Sequence, residues 1–194
     1  FPMYYTNMKS MVAEMIRNSE LIIFNRCDTC MDSLGNYRRN VKAVNAKADV
    51  IFENAQGEIN EIFEEDLPYD LKAEEIVLDD FSYGIWYLDV MDHAQRYQGK
   101  KITFVGTVLK ADKFPKNCFV PGRMAMTCCA DDMAFLGFVC KYDKADTLQN
   151  RQWVRVTAEV KMEYWEDYKG IGPVLYADNV VLTDKPDNEV IGFN

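Results

Sequence analysis

The sequence has one histidine, no long apolar run and none of the common nucleotide-binding loops. Each of these shortages argues against a class of function. Because no run of eighteen apolar residues exists, no segment is predicted to span a bilayer. His93 stands beside Asp92 at the end of a predicted helix, which indicates a surface residue rather than the base of a Ser–His or Cys–His catalytic pair. Without a phosphate-cradling glycine loop or a dinucleotide fingerprint, nucleotide chemistry has no sequence support.

Basic residues are also scarce. Lys and Arg number 22 against 31 Asp and Glu, giving a net charge of −9. Between residues 53 and 80 eleven acidic residues face one base, Lys72. Surfaces that follow nucleic-acid phosphates or anionic lipids need the opposite sign, so no nucleic-acid partner and no binding to an anionic membrane surface are expected.

Cysteine is limited to six residues, too few for a disulfide scaffold: Cys27, Cys30, Cys118, Cys128, Cys129 and Cys140. Their even number permits disulfides without requiring them. With 48% hydrophobic residues and 13% aromatics, the chain is predicted to fold as one large or two small domains. It begins at Phe1, which fits a lost signal peptide or membrane anchor and equally a removed tag or initiator methionine.

The predicted fold is mainly β with some α. Residues 1–75 form a mixed α/β, partly helical N-terminal region, and residues 76–194 form the second domain, with a covering helix at about 81–93. Candidate strands follow at 102–109, 118–126, 135–142, 153–160 and 174–182, and period-two alternation is clear in the first and fourth of them. Their number and spacing between about residues 98 and 186 favour a five-stranded, mainly antiparallel barrel that resembles the oligonucleotide/oligosaccharide-binding (OB) type.

Two adjacent cysteines, Cys128 and Cys129, follow the second of these strands. Successive side chains on a strand point to opposite faces, so a bulge or turn must bring both thiols together. One interpretation is a pair of small buried hydrophobes. The other is a soft-ligand or redox-sensitive pocket close to Arg123 and Asp131.

The region from residue 76 to 142 carries a distinctive set of motifs. They are Asp79-Asp80-Phe81, Tyr97-x-Gly99-Lys100-x-Ile102, Phe114-Pro115-Lys116-Asn117-x-Phe119, Gly122-Arg123-x-x-Met126-x-Cys128-Cys129-x-Asp131 and Gly137-Phe138. With weaker matches further on, this set resembles the C-terminal domain of an uncharacterised family of bacterial subunits of a two-component membrane permease complex. The family's acidic motif position falls on Asp131 or Asp132, and the Cys27-x-x-Cys30 pair has no counterpart in the resemblance.

The resemblance implies a non-enzymatic accessory domain whose partner is an integral-membrane permease subunit. It also implies a membrane anchor outside this chain and an extracytoplasmic location for the domain. No solute is implied.

A metal site is the leading hypothesis for the cysteine motif. Thiolates suit zinc, copper(I) or another thiophilic metal, so Cys128, Cys129 and Asp131 are the candidate ligands, with Arg123, Met126 and Asp132 as further motif residues. A second possibility is a four-cysteine zinc site that adds Cys27 and Cys30. Arg123 is interpreted either as a cation that lowers a thiol pKa or as the partner of a nearby acid.

Two other functions stay open. The first is a thiol-redox protein that uses Cys128 or Cys129. The second, less favoured, is an oligonucleotide- or oligosaccharide-binding barrel. Its stacking surface would be formed by an aromatic group. In the alternative interpretation, the same aromatic group closes the barrel mouth or contacts a partner. The group consists of Trp153, Tyr164, Trp165, Tyr168 and Tyr176.

Overall fold

The structure is a computed structural model that describes residues 7–59, 67–111, 113–126 and 133–193. These residues divide into two compact units. The first takes the described residues up to 67 together with Met126, Met133 and Phe193, and the second takes 68–125 and 134–192 without Asp112. The domain boundary predicted after residue 75 stays a prediction. Within the described ranges no helix is both long and apolar enough to cross a membrane.

The first unit is built around a strand–helix–strand arrangement. Its elements are α1 (Lys9–Arg17), β1 (Leu21–Phe24), α2 (Leu34–Val44), β2 (Asp49–Asn54) and β3 (Gly57–Glu58). Strands β1 and β2 pair in parallel, and β3 turns back antiparallel to β2. Between the strands and helices lies a small apolar core to which Ile16, Leu34, Val41 and Phe52 contribute.

The second unit contains most of the strands. Its elements are β4 (Glu75–Val77), α3 (Ser82–Asp92), β5 (Lys101–Leu109), β6 (Cys118–Met126), β7 (Met133–Gly137), β8 (Cys140–Lys141), β9 (Trp153–Trp165), β10 (Gly170–Leu182) and β11 (Val190–Ile191). The prediction of a mainly β chain with some helix is confirmed. The helix expected at about 81–93 corresponds to α3.

Five strands of the second unit are joined in a closed circuit of pairings. Strand β5 lies antiparallel to both β6 and β9, and β9 lies antiparallel to β10. Strand β10 pairs in parallel with β8, and β8 pairs antiparallel with β6, which completes the circuit. Strands β4 and β11 add parallel pairings to β5 and β6, and β7 also pairs with β6.

The alternation in the sequence explains which faces are buried. Along β9, Val154, Val156, Ala158 and Val160 are fully buried, while the residues between them are wholly or partly exposed. Helix α3 contributes Trp86, whose ring centroid lies 5.7 Å from that of Phe104 on β5. The core of the second unit therefore forms between the inward faces of the strands and helix α3, which is buried around most of its circumference.

Glycine permits the close approach of β6 and the end of β7. A Cβ atom at Gly122 would lie 2.2 Å from the carbonyl oxygen of Leu136 and 2.7 Å from the Phe135 ring. A Cβ atom at Gly137 would lie 2.6 Å from the carbonyl oxygen of Pro121. Both glycines belong to the motifs on which the family resemblance rests, and each is needed because a larger side chain would not fit.

We predict that Gly122→Ala lowers the free energy of unfolding by about 3 kcal/mol, because the added methyl group meets backbone that has no room to move. Gly192→Ala is the matched control, since its Cβ would meet no described heavy atom within 4 Å. Urea unfolding followed by tryptophan fluorescence measures both. Equal, small effects of the two substitutions would contradict the close packing of β6 and β7.

Candidate functional site around Arg123

The predicted site residues are only partly visible. Cys128, Cys129, Asp131 and Asp132 lie outside the described residues, so the predicted pocket of thiols and carboxylate stays a prediction. Arg123 and Met126 lie on β6, and Met126 is its last residue, with 40% of its surface exposed. Strand β7 begins at Met133 and pairs with β6, so both ends of the 127–132 segment are attached to one sheet.

Arg123 is almost completely buried, with 1% of its surface exposed. Its Nη1 donates a hydrogen bond of 2.5 Å to Oδ1 of Asp80. The same nitrogen lies 3.3 Å from the Val105 carbonyl oxygen on β5, and Nη2 donates to the carbonyl oxygen of Asn188. The guanidinium carbon lies 5.3 Å from the ring centroid of Trp153 on β9, a cation–π distance.

These contacts show that Arg123 is paired with an acid. A buried guanidinium is costly unless its charge is paired. Asp80 supplies the opposite charge, and the backbone carbonyls of Val105 and Asn188 each accept a further terminal N–H. Arg123 Nε has no hydrogen-bond partner among the described residues. The expected effect of Arg123 on a thiol pKa stays a prediction.

Arg123 also connects parts of the chain that are distant in sequence. Asp80 precedes helix α3, Val105 lies on β5, and Asn188 precedes β11. Strand β11 in turn pairs with β6 beside the arginine, where Val190 is the partner of Met124. One side chain therefore holds three segments against the strand that leads directly into Cys128 and Cys129.

Asp79 fixes the position of Asp80 by capping the start of α3. Its Oδ1 accepts hydrogen bonds from the Ser82 backbone N–H at 2.7 Å and the Phe81 backbone N–H at 3.1 Å, and the Ser82 hydroxyl donates to it at 2.7 Å. The hydrogen bonds from the Ser82 side chain and backbone hold the pKa of Asp79 below its usual range. The predicted cap is therefore Asp79, whereas Asp80 is free to reach Arg123.

A second buried network surrounds Tyr97. Its hydroxyl donates to Oδ2 of Asp89 at 2.5 Å and lies 2.7 Å from the hydroxyl of Tyr69. Burial, reinforced by both neighbours, raises the pKa of Tyr97. Gly99 follows with a φ of +76°, which favours glycine, and its N–H donates to the Val160 carbonyl oxygen at 2.8 Å. The Tyr97-x-Gly99 motif therefore forms a structural turn.

The other cysteines and the histidine of the second unit show no activated group. Cys118 and Cys140 are buried, and burial raises the pKa of both thiols. His93 caps the end of α3, where its backbone N–H donates to the Asp89 carbonyl oxygen. Over the described ranges no three His, Cys, Asp or Glu side chains are grouped to hold a metal ion.

The aromatic group has mostly structural contacts. The Tyr168 hydroxyl accepts from the Val139 backbone N–H and donates to the Pro173 carbonyl oxygen, and burial raises its pKa to about 12. The Tyr176 hydroxyl bonds Glu163 and Lys141, and Lys141 Nζ lies 2.5 Å from Glu163 Oε2. Sequence reasoning did not find this triad, because its members are separated by 13 to 35 positions.

Comparison with known families identifies the chain. Residues 53–191, more than two-thirds of its length, match the model of the DUF1980 C-terminal domain. The chain belongs to this family, and the prediction that it is the C-terminal domain of an uncharacterised family is confirmed. The match covers the site around Arg123 but leaves out the Cys27-x-x-Cys30 motif.

Two further comparisons add little. A search of curated proteins found no match. Among the solved structures that match is "OBody NL8 bound to hen egg-white lysozyme", which is 10% identical, covers 45% of this chain and 98% of that chain, and has a TM-score of 0.31. A TM-score of that size supports no statement about the fold.

We predict that Asp80→Ala lowers the free energy of unfolding by about 3 kcal/mol, because it leaves the Arg123 charge buried without a partner. Asp167→Ala is the matched control, since its pair with Lys113 is exposed and its loss should cost less than about 0.5 kcal/mol. In the Asp80→Ala background, Arg123→Met should recover part of the loss because it removes the unpaired charge. Simple addition of the two single losses in urea unfolding would contradict the ion-pair account.

The cap on α3 predicts a pH dependence. The ionised Asp79 carboxylate stabilises the folded state at neutral pH, and this contribution is lost as the pH falls through its lowered pKa. Asp79→Ala should therefore cost about 1 kcal/mol near pH 7, and the difference from wild type should shrink between about pH 5 and pH 2. Exposed Asp184→Ala serves as the control. A difference for Asp79→Ala that stays constant with pH in urea unfolding would rule out this role.

Proposed function

We propose that the family-matched part of this chain is a non-enzymatic accessory domain of a membrane permease complex in which Cys128 and Cys129, with Asp131, bind a soft metal ion. The observation that carries the proposal is the buried Arg123–Asp80 ion pair, five residues before Cys128 on the strand that leads to it. Zinc or copper(I) is the expected guest, because thiolates are soft ligands. The partner is an integral-membrane permease subunit, and the domain is anchored to the membrane on its extracytoplasmic side.

The anchoring of β6 supports a site in the 127–132 segment. Metal ligands need to be held close to their productive geometry, and this is best done from rigid elements. Arg123 fixes β6 through contacts to three other segments, and pairing with β7 fixes the far end of the same short segment. The six residues between these strands carry the two thiols and the carboxylate of the proposed site.

The charge of Arg123 favours metal binding over the thiol-redox alternative at these cysteines. A nucleophilic cysteine usually depends on nearby uncompensated positive charge, which lowers its pKa. Arg123 is the cation closest to Cys128 in sequence, and its charge is paired with Asp80. A metal ion needs no such cation, because it displaces the thiol protons itself.

The closed circuit of five strands supports the proposal that the second unit contains an OB-like barrel. An OB barrel is a five-stranded, partly open Greek-key barrel. The circuit runs β5–β6–β8–β10–β9 and returns to β5, with one parallel pair between β8 and β10. The chain is accordingly proposed to carry an OB-like barrel, used here as a scaffold for the cysteine segment.

Metal titration of the reduced chain tests the function. Wild type should take up zinc, with affinity that rises with pH as the thiols deprotonate, and Cys128→Ser/Cys129→Ser should lose at least tenfold in affinity. Asp131→Asn and Asp132→Asn identify the acidic ligand, because only one of them should weaken binding.

The matched control is Cys27→Ser/Cys30→Ser, which should bind zinc as wild type does. Equal, negligible uptake by wild type and the Cys128→Ser/Cys129→Ser variant would end the metal proposal and leave docking to the permease subunit as the function.

A further inference from the structure

The Cys27-x-x-Cys30 motif follows the first strand of the strand–helix–strand arrangement in the first unit. Strand β1 ends at Phe24, helix α2 begins at Leu34, and β2 lies parallel to β1. Sites in parallel sheets commonly form beyond the carboxyl ends of the strands. A Cys-x-x-Cys pair beside a β–α–β unit is also the usual sequence setting of a redox-active dithiol.

The local backbone brings the two thiols into one turn. Arg26 has a φ of +58°, which turns the chain sharply after β1, and Cys27–Thr29 form a single 3-10 turn. The Cys30 backbone N–H donates to the Cys27 carbonyl oxygen at 3.1 Å, and the Cys30 thiol lies 3.7 Å from the same oxygen. Both thiols are free.

The two thiols differ in their surroundings. Cys27 is 1% exposed, and its thiol donates to the Phe24 carbonyl oxygen at 3.3 Å. Burial raises the pKa of the Cys27 thiol. Cys30 is half-buried and therefore more accessible. The two cysteines thus lie at the start and just past the end of one turn, with Cys27 buried and Cys30 partly open.

A cavity of about 430 Å³ adjoins both cysteines. Its lining includes Ile23, Arg26, Thr29 and Tyr37 in addition to the two cysteines. This mixture of apolar, aromatic and cationic groups gives room for a small molecule or an extended peptide next to the more accessible thiol.

We propose that Cys27 and Cys30 form a redox-active dithiol that reduces a disulfide substrate seated in this cavity. The reaction is thiol–disulfide exchange in two steps. The Cys30 thiolate attacks one sulfur of the substrate, forms a mixed disulfide and releases the first substrate thiolate. The Cys27 thiolate then attacks the Cys30 sulfur, forms the Cys27–Cys30 disulfide and releases the second thiolate.

Atoms and electrons balance in this exchange. Two electrons pass from the cysteine pair to the substrate disulfide, and the two thiol protons end on the released substrate thiols. The order of attack follows from exposure, because the accessible Cys30 meets the substrate first and the buried Cys27 resolves the mixed disulfide. This activity uses residues outside the family match and is independent of the metal site proposed at Cys128 and Cys129.

An aromatic disulfide probe that releases a coloured thiol tests the proposal in the Cys128→Ser/Cys129→Ser background, where the motif cysteines cannot react. The parent should release two thiols per chain and retain no probe, and its mass should fall by two hydrogens, with the bond mapped to Cys27–Cys30. Adding Cys27→Ser should release one thiol and leave the probe attached to Cys30. Adding Cys30→Ser should greatly slow the reaction.

Circular dichroism and thermal unfolding of each variant separate loss of chemistry from loss of fold. If a serine variant is unfolded, the parent still decides the matter through its thiol release and mass. A parent that keeps the probe as a stable adduct, or that leaves both Cys27 and Cys30 reduced, would overturn the proposal. Because this background lacks Cys128 and Cys129, a negative result with the disulfide probe leaves the metal proposal intact. A negative metal titration likewise leaves the dithiol proposal intact.

Discussion

The buried ion pair between Arg123 and Asp80 is the interaction on which the arrangement of the second unit depends. A guanidinium with 1% exposure is costly to bury unless its charge is neutralised and its donors are used. Asp80 neutralises it, while the carbonyl oxygens of Val105 and Asn188 each accept a further hydrogen bond from its terminal nitrogens. Loss of Asp80 would leave a charge on Arg123 that the surrounding strands cannot solvate. Through its contacts, this one side chain constrains the segments before α3, on β5 and before β11.

Packing around this pair leaves little freedom for β6. Trp153 covers the guanidinium, and the missing side chain of Gly122 lets Leu136 approach the same strand. The capping of α3 by Asp79 places the next residue, Asp80, where it can meet the arginine. In the sequence, these motif residues look like parts of a reactive site. In the structure, they mainly hold β6, the strand that precedes the segment with Cys128 and Cys129. The chemistry proposed for that segment rests on β6 and β7, the strands that precede and follow it, which pair with each other.

Local patterns predicted the elements well and the contacts between them poorly. Apolar runs bounded by turn residues placed β5, β6, β9 and β10, and period-two alternation was clearest for β9, where burial of one face imposes that spacing. The Arg123–Asp80 pair spans 43 positions, and composition carries no information about which acid a given arginine will meet. Both residues lie in motifs shared with the family, and that joint membership was the available signal. Likewise, the Cys27-x-x-Cys30 spacing was visible, but its place after a strand of a parallel pair required the fold.

X-ray absorption at the zinc edge of the metal-loaded, reduced chain most directly measures whether Cys128 and Cys129 bind the metal ion. Sulfur ligands scatter at about 2.3 Å from zinc, and nitrogen or oxygen ligands at about 2.0–2.2 Å. If Cys128 and Cys129 bind zinc, wild type should show two sulfur ligands with oxygen or nitrogen completing the shell, and Cys128→Ser/Cys129→Ser should lose the sulfur signal. A shell of oxygen and nitrogen alone in wild type, or a sulfur signal unchanged in that variant, would contradict it.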